Sequence, residues 1–166
     1  VSEKSPFTLY QRAQCYQGMY EFSKQVDAMT ALIALMETED ADLYTMRGVA
    51  YRQMGNTEAA ISDFNKALQI APTDPSALAE RGWTKDMLKQ DAEAIKDYTS
   101  AITYAEPNAW LYIQRGRMYQ STGDSLKAKA DFKTALQLDT ISSTHAFALM
   151  HLGKTQAAVN FMKAII

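Results

Sequence analysis

The chain has 166 residues, with 17 Lys and Arg against 19 Asp and Glu, for a formal net charge of −2. That balance excludes a surface built to neutralise nucleic-acid phosphates, and the single cysteine, Cys15, excludes an intramolecular disulfide framework or a cysteine zinc cluster. The longest apolar stretch, Ala28 to Met36, is broken by Thr30 and falls far short of the roughly 20 residues of a membrane span, while seven Gly and four Pro are too few for a turn-rich β sandwich.

From the N-terminus, residues 6–40 form an irregular first unit. Its Arg12-Ala13-x2-Tyr16 recurs 35 residues later as Arg47-Gly48-x2-Tyr51, with Val26 matching Ile61 and Met29 matching Phe64. The unit closes on an acidic run, Glu37, Glu39, Asp40 and Asp42, read as a solvated connection whose charge favours the next helix N-terminus. Residues 41–74, 75–108 and 109–142 then repeat with a period of 34. The columns in register are Arg47-Gly48, Arg81-Gly82 and Arg115-Gly116; Ala60, Ala94 and Ala128; Asp63, Asp97 and Asp131; Phe64, Tyr98 and Phe132; and Ala67, Ala101 and Ala135.

Each repeat is predicted to be two antiparallel helices, A then B. Tyr44, Gly48 and Tyr51 in A, and Ala60, Phe64, Ala67 and Leu68 in B, fall at helical i, i+3, i+4, i+7 spacing. Small residues let the helices approach closely and the aromatic fills the space between them. Asp40, Asp74 and Asn108 are expected to cap the A helices, with Pro75 in a first turn. Thr57, Asp91 and Ser125 hold the same place before the B helices, after Gly55 and Gly123 at two of the turns. A last irregular unit, 139–166, overlaps the end of the third repeat and matches at an offset of 30, pairing Gly123 with Gly153, Ala128 with Ala158 and Phe132 with Met162. The missing four residues predict a shorter connection or a clipped A helix near Ser142 to His145.

The pattern Tyr44-x2-Arg47-Gly48-x2-Tyr51…Ala60-x3-Phe64…Pro72 resembles the tetratricopeptide repeat family. The resemblance implies an all-α right-handed solenoid of about five helical hairpins, ten helices, as a single domain over 1–166. It also implies a non-catalytic protein–protein interaction module or scaffold that holds a peptide segment of a protein partner in a concave groove. The alternative is structural self-assembly into a homo-oligomer with no regulated peptide ligand. In this family positions two, five, six, nine, twelve and thirteen of each A helix line the groove. They carry over to Tyr10, Gln14 and Gln17; to Asp42, Met46, Val49 and Arg52; to Glu80, Trp83, Asp86 and Met87; and to Trp110, Ile113, Gln114, Arg117 and Gln120. Both tryptophans fall on this surface, and Trp and Arg are enriched among interface hot spots. The C-terminal carboxylate clamp of chaperone-binding members needs Lys and Asn near Tyr10, Gln14, Met46 and Gln114, so it is not expected.

Other constellations point elsewhere. Gly153-Lys154-Thr155 ends like a phosphate-binding loop, but Ala148 stands where that loop needs glycine, so it is read as a helix-to-helix turn with Thr155 as cap. His145 and His151 are six apart and cannot share a helical face as i, i+4 metal ligands do. Cys15 is expected to be a small buried hydrophobe, and Tyr51, Met54, Tyr98 and Met118 to pack the repeat core. No catalytic set, metal site or cofactor is expected, nor a nucleic-acid or membrane partner. Val1-Ser2-Glu3-Lys4 has neither a basic leader nor an apolar core, which leaves the compartment open, with the cytoplasm as the default and a trimmed leader compatible with the start. Val159, Met162, Ile165 and Ile166 form an apolar stripe, expected to be covered by another copy, as a homodimer through the C-terminal helix, or by further helix.

Arg47, Arg81 and Arg115 each precede an aspartate, Asp63, Asp97 and Asp131, by sixteen residues, a separation that lets antiparallel helices set them face to face as structural ion pairs. For Arg81 and Asp97, a double-mutant cycle with Arg81→Ala and Asp97→Ala is expected to show a coupling of about 0.5–3 kcal/mol in denaturant unfolding; strict additivity would reject the pair.

Overall fold

The computed structural model describes residues 5–165, and among them it contains ten α-helices and no strand. They are α1 (Pro6–Gly18), α2 (Phe22–Leu35), α3 (Ala41–Gln53), α4 (Thr57–Ile70), α5 (Pro75–Met87), α6 (Asp91–Tyr104), α7 (Ala109–Ser121), α8 (Ser125–Leu138), α9 (Ser143–His151) and α10 (Thr155–Ile165). This is the all-α helical-repeat fold that the 34-residue period predicts. The first four A helices each have 13 residues, whereas α9 has 9, so the deletion in the last unit is taken out of its A helix.

The helix starts follow the sequence closely at the A helices. Asp40 accepts from the Asp42 N–H, Asp74 from Ser76 and Ala77, and Asn108 from Trp110. At the B helices the cap lies one residue earlier than expected. Asn56 and Asp124 accept from the N–H groups of Ala59 and Lys127, which leaves Thr57 and Ser125 as first helical residues. Gln90 holds that place before α6 and makes no side-chain cap bond, so Asp91 is not a cap either. In both observed caps the short Asn or Asp side chain reaches the third amide, as an N-cap must. The A-to-B turns need one residue with positive φ, which Gly55, Gly123 and Gly153 supply freely, while Tyr20 and Lys89 adopt it at φ 59° and 60°.

The chain divides into two compact units, one up to Thr84 and one from Lys85. In the first, Leu9, Ala13, Ala28, Met29, Leu32 and Leu43 form a buried cluster joining α1, α2 and α3. In the second, Ala109, Ile113, Ala128, Phe132, Ala135 and Ala148 join α7, α8 and α9. Ala146, Leu149 and Ala158 make a smaller cluster against which Phe161 and Met162 pack. The expected apolar stripe of α10 is therefore divided, since Met162 turns inward while Val159 stays exposed; the Ile165 side chain and Ile166 lie outside the described residues. Cys15 is exposed on α1, contrary to the buried position expected of it, because it falls on the face of the helix turned away from Leu9 and Ala13. Among the described residues no helix is long and apolar enough to cross a membrane.

Within the α3–α4 and α7–α8 hairpins the glycine column lies close against the aromatic column. A Cβ on Gly48 would stand 2.7 Å from the Phe64 ring, and one on Gly116 would stand 2.8 Å from Phe132. Those rings are fully buried and cannot give way without displacing their neighbours. The first hairpin carries Ala13 where these have glycine, and Met29 where they have phenylalanine, so a methyl is added on one side and a rigid ring is removed from the other. Gly48→Ala is expected to cost about 1–3 kcal/mol in chemical denaturation, and Gly48→Ala with Phe64→Met to recover part of that loss. A double variant no more stable than Gly48→Ala would show that the ring is not the obstacle.

Candidate functional site

The expected ion pairs of Arg47 and Arg115 close as bidentate forks. Arg47 donates through Nε and Nη2 to both oxygens of Asp63 at 2.7 Å, and Arg115 does the same to Asp131 at 2.8 Å. The planar guanidinium matches the carboxylate edge, and both groups are largely removed from water. Each guanidinium also lies near two tyrosine rings of its own A helix, Tyr44 and Tyr51 for Arg47, Tyr112 and Tyr119 for Arg115, at 5.6–5.9 Å from the centroids. The hydrogen bonds they donate to Asp63 and Asp131 hold both arginines above their usual pKa against the opposing cost of burial. In the second full repeat Arg81 donates to Asn65 at 2.8 Å, and Asp97 is met by Lys85 at 2.8 Å. Lys85 occupies the place that Tyr51 and Tyr119 hold in the other repeats, and the sequence reading missed its role, although a lysine replacing an aromatic beside an aspartate column was the available signal.

The groove positions of the first unit are mostly used up by the fold. Arg52 is 6% exposed, donates to Glu80 at 2.8 Å and stacks on Trp83 with its guanidinium carbon 4.1 Å from the ring centroid. Arg52, Glu80 and Trp83 thus join α3 to α5, and Trp83, 38% exposed, is the part of this trio open to a ligand. Met46 packs against the α1–α3 core and Val49 is half-buried. Tyr10 lines an apolar cleft of about 250 Å³ with Phe7, Leu32, Met36 and Leu43, while Gln14 is exposed one turn further along α1.

The second unit brings its groove positions together. Trp110, Ile113 and Gln114 of α7 line a cleft of about 260 Å³ with Ser143, Thr144 and Phe147 of α9. Trp110 meets the buried Tyr98 ring edge-on at 6.1 Å, which fixes it from behind. Further along the same two helices, Arg117, Gln120 and His151 line a second cleft of about 280 Å³, with Asp86 and Lys89 across from them. Arg117 donates to Gln114 at 2.6 Å and lies 3.6 Å from Asp86, so its charge is positioned without being buried. The site therefore passes from an aromatic end to a charged end along α7 and α9.

His151 joins the two ends, a role the sequence did not reveal. Its ring stacks on Phe132 at 4.8 Å, leans on Phe147 at 4.5 Å, and donates from Nδ1 to Gln120 at 2.9 Å. His145 is held separately, donating to the Asp139 carbonyl at 2.8 Å and packing on Phe161, so the two histidines share no site. Among the described residues no group of three or more His, Cys, Asp or Glu is placed to hold a metal ion. Gly153 and Lys154 form the turn from α9 to α10, with Gly153 at φ 73°, and Thr155, expected as the cap, is instead the first residue of α10.

A family model described as tetratricopeptide repeat matches residues 41–74, and a second so described matches 111–141. The chain is 28% identical over 120 residues to human Protein O-mannosyl-transferase TMTC1, covering 70% of this chain and 14% of that protein. It is 33% identical over 96 residues to human Tetratricopeptide repeat protein 6, covering 58% and 18%, and 29% identical over 97 residues to Tetratricopeptide repeat protein 36 of Danio rerio, covering 56% and 52%. The chain thus spans a seventh to about half of the length of these relatives. Among solved structures, MamA from Desulfovibrio magneticus superposes with a TM-score of 0.78 at 16% identity, covering 96% of this chain and 92% of that one. YrrB, a tetratricopeptide-repeat protein described as having an unusual peptide-binding site, superposes with a TM-score of 0.77 at 16% identity, covering 92% and 76%. At these identities the likeness is one of fold.

Burial against Phe132 and Phe147 lowers the His151 pKa below its usual value, and the nearby Arg117 charge adds to the effect. The unfolded chain, with histidine near 6.5, then binds more protons than the folded one just below that pH, so the contribution of His151 is complete above about pH 6.5 and is lost as the pH falls. The melting temperature is expected to drop between pH 7.5 and 5.5, and less steeply in His151→Gln. Identical slopes in the two proteins would contradict the assignment.

Proposed function

Because the chain belongs to the tetratricopeptide-repeat family, whose fold serves protein interaction and scaffolding, we propose that it is a non-catalytic single-domain module that binds a peptide segment of a partner protein along α7 and α9. The observation that carries this reading is the adjacency of two clefts of different character on those helices. Trp110 and Phe147 line one, and Arg117, Gln120 and His151 line the next. The two ends lie about 10 Å apart at 1.5 Å per helical residue, a span that suits a short extended or helical segment with one apolar and one charged or polar anchor. A bound aromatic or aliphatic side chain would gain burial against Trp110, whose position is already fixed by Tyr98, so little ordering cost would be incurred on binding. In the first unit Trp83 offers an exposed indole and Tyr10 an apolar cleft, while Arg52 is taken up by Glu80 and Trp83. The peptide-binding site described for YrrB, a protein of this fold, supports the reading by analogy. Self-assembly is the second reading, favoured by the exposure of Leu126 at 84% and Ile141 at 79%.

A peptide-display selection against the intact chain tests the first reading. Selected peptides are expected to bind at least tenfold more weakly to Trp110→Ala and to Arg117→Glu, as hot-spot residues require, with melting temperatures close to that of the parent. Loss of folding in Arg117→Glu would make that residue structural and the groove assignment wrong. A selection that returns no peptide, together with a molecular mass that rises with concentration in light scattering, would favour self-assembly.

A further inference from the structure

The charged end of the α7–α9 surface holds a carboxylate that the fold leaves unanswered. Asp86, in the last turn of α5, is only 9% exposed, yet its side chain accepts no hydrogen bond from any described residue. The cation that approaches it, Arg117 of α7, stands 3.6 Å away, beyond hydrogen-bond distance. Arg117 Nη1 already donates to Gln114 at 2.6 Å, while its Nε and Nη2 donate to no described residue. A buried carboxylate is normally hydrogen-bonded, because one left unanswered carries the cost of its lost hydration. The preceding repeat shows the regular solution. Arg52, at the repeat position that Asp86 holds, is equally buried, and its charge is met by Glu80 at 2.8 Å and by the Trp83 ring.

Asp86 and Arg117 both line the cleft of about 280 Å³, whose other polar groups are engaged with one another. His151 donates from Nδ1 to Gln120 at 2.9 Å, and Asp91 accepts from the Ser121 hydroxyl. Burial holds His151 below its usual pKa, so it is neutral at pH 7. The charges around the cleft are then Asp86 and Asp91 against Lys89 and Arg117, which balance.

That balance discriminates among ligands. A carboxylate brought to Arg117 would meet Asp86 beside it, and an ammonium group brought to Asp86 would meet Arg117. Either would also give up the hydration of a full charge. A carboxamide gives up less and answers both groups, since its carbonyl oxygen accepts from Arg117 while its NH2 donates to Asp86. Acceptor and donor sit side by side on one carbon, which suits a cation and an anion 3.6 Å apart, and both hydrogen bonds would be charge-assisted. A backbone peptide unit cannot do the same, because its trans C=O and N–H point in opposite directions.

We propose that the polar anchor of the bound peptide is an Asn or Gln side chain, held through its carbonyl by Arg117 and through its NH2 by Asp86. Resting on the α7–α9 peptide reading, this assignment makes Asp86 the residue that selects an amide over a carboxylate.

Display of a fully random peptide library against the intact chain tests the assignment. Peptides that lose affinity in Trp110→Ala are expected to share an Asn or Gln. In fluorescence-anisotropy titrations at pH 7.5, replacing that residue by its carboxylate twin, by Lys or by Leu is expected to weaken binding at least tenfold, as a site built to hydrogen-bond one group rejects its analogues. Asp86→Asn is expected to keep a melting temperature close to that of the parent, since Asp86 accepts no hydrogen bond within the fold. In that variant the preference is expected to reverse in favour of the carboxylate twin, because the substituted side chain donates and the cleft carries a net positive charge. Groove peptides with no shared Asn or Gln, an amide peptide bound no better than its carboxylate twin, or an unchanged preference in Asp86→Asn would each overturn the assignment and leave the groove reading standing. A selection that returns no peptide would overturn both.

Discussion

The contact of a glycine on one helix with an aromatic ring on the next underlies the other features of the full repeats. Gly48 against Phe64, and Gly116 against Phe132, let the backbone of helix A come within van der Waals reach of a fully buried ring on helix B. With that separation set, the alanine columns at Ala60, Ala67, Ala128 and Ala135 are buried completely or nearly so, and no longer side chain would fit them. The same close approach brings position seven of A opposite position twenty-three of B. A sixteen-residue spacing then becomes a fork with both N–O distances between 2.7 and 2.8 Å.

The forks are worth more as devices of geometry than as sources of stability. Removing two charges from water costs much of what their attraction returns, so a partly buried pair is weak grounds for a stable fold. A bidentate pair flanked by two tyrosine rings does, however, allow only one register between helices A and B. It also leaves one donor of each arginine for the preceding B helix, so a single side chain ties three helices together. The first hairpin departs from this scheme at several positions at once: Ala13 for glycine, Met29 for the aromatic, Ala28 for aspartate, and Gln25 in the alanine column. Gln25 is buried with neither amide atom bonded, a cost that the alanines of this column in the other repeats do not carry.

Charge within the groove is treated in two ways. In the first unit Arg52 is buried under Trp83 and bonded to Glu80, so the charge ties α3 to α5 and the indole is the exposed part. In the second unit Arg117 keeps a partly exposed head, tethered by Gln114 and near Asp86, beside the half-buried His151. Phe147 and His151, four residues apart on α9, share the face turned to α7 and α8, where Phe147 meets the Trp110 cleft and His151 stacks on Phe132.

Much was legible in the amino acids alone. The period of 34 residues, with the offsets of 35 and 30 at the two ends, determined the ten helices, their A and B pairing, the aromatic and alanine columns of the core, and the forks at Arg47 and Arg115, because each follows from residue spacing on a helix and from the small size of glycine and alanine. The deletion in the last unit left a shorter connection or a clipped A helix open, and α9, with 9 residues, is the clipped helix. What remained depended on distances between side chains far apart in the sequence. The burial of Arg52, the exposure of Cys15 and the place of His151 between two phenylalanines have no signature in a repeat pattern. A column states that residues occupy the same position on their helices. Whether an arginine there meets a carboxylate, a tryptophan or water is decided by the neighbouring helices, which only the tertiary structure brings together.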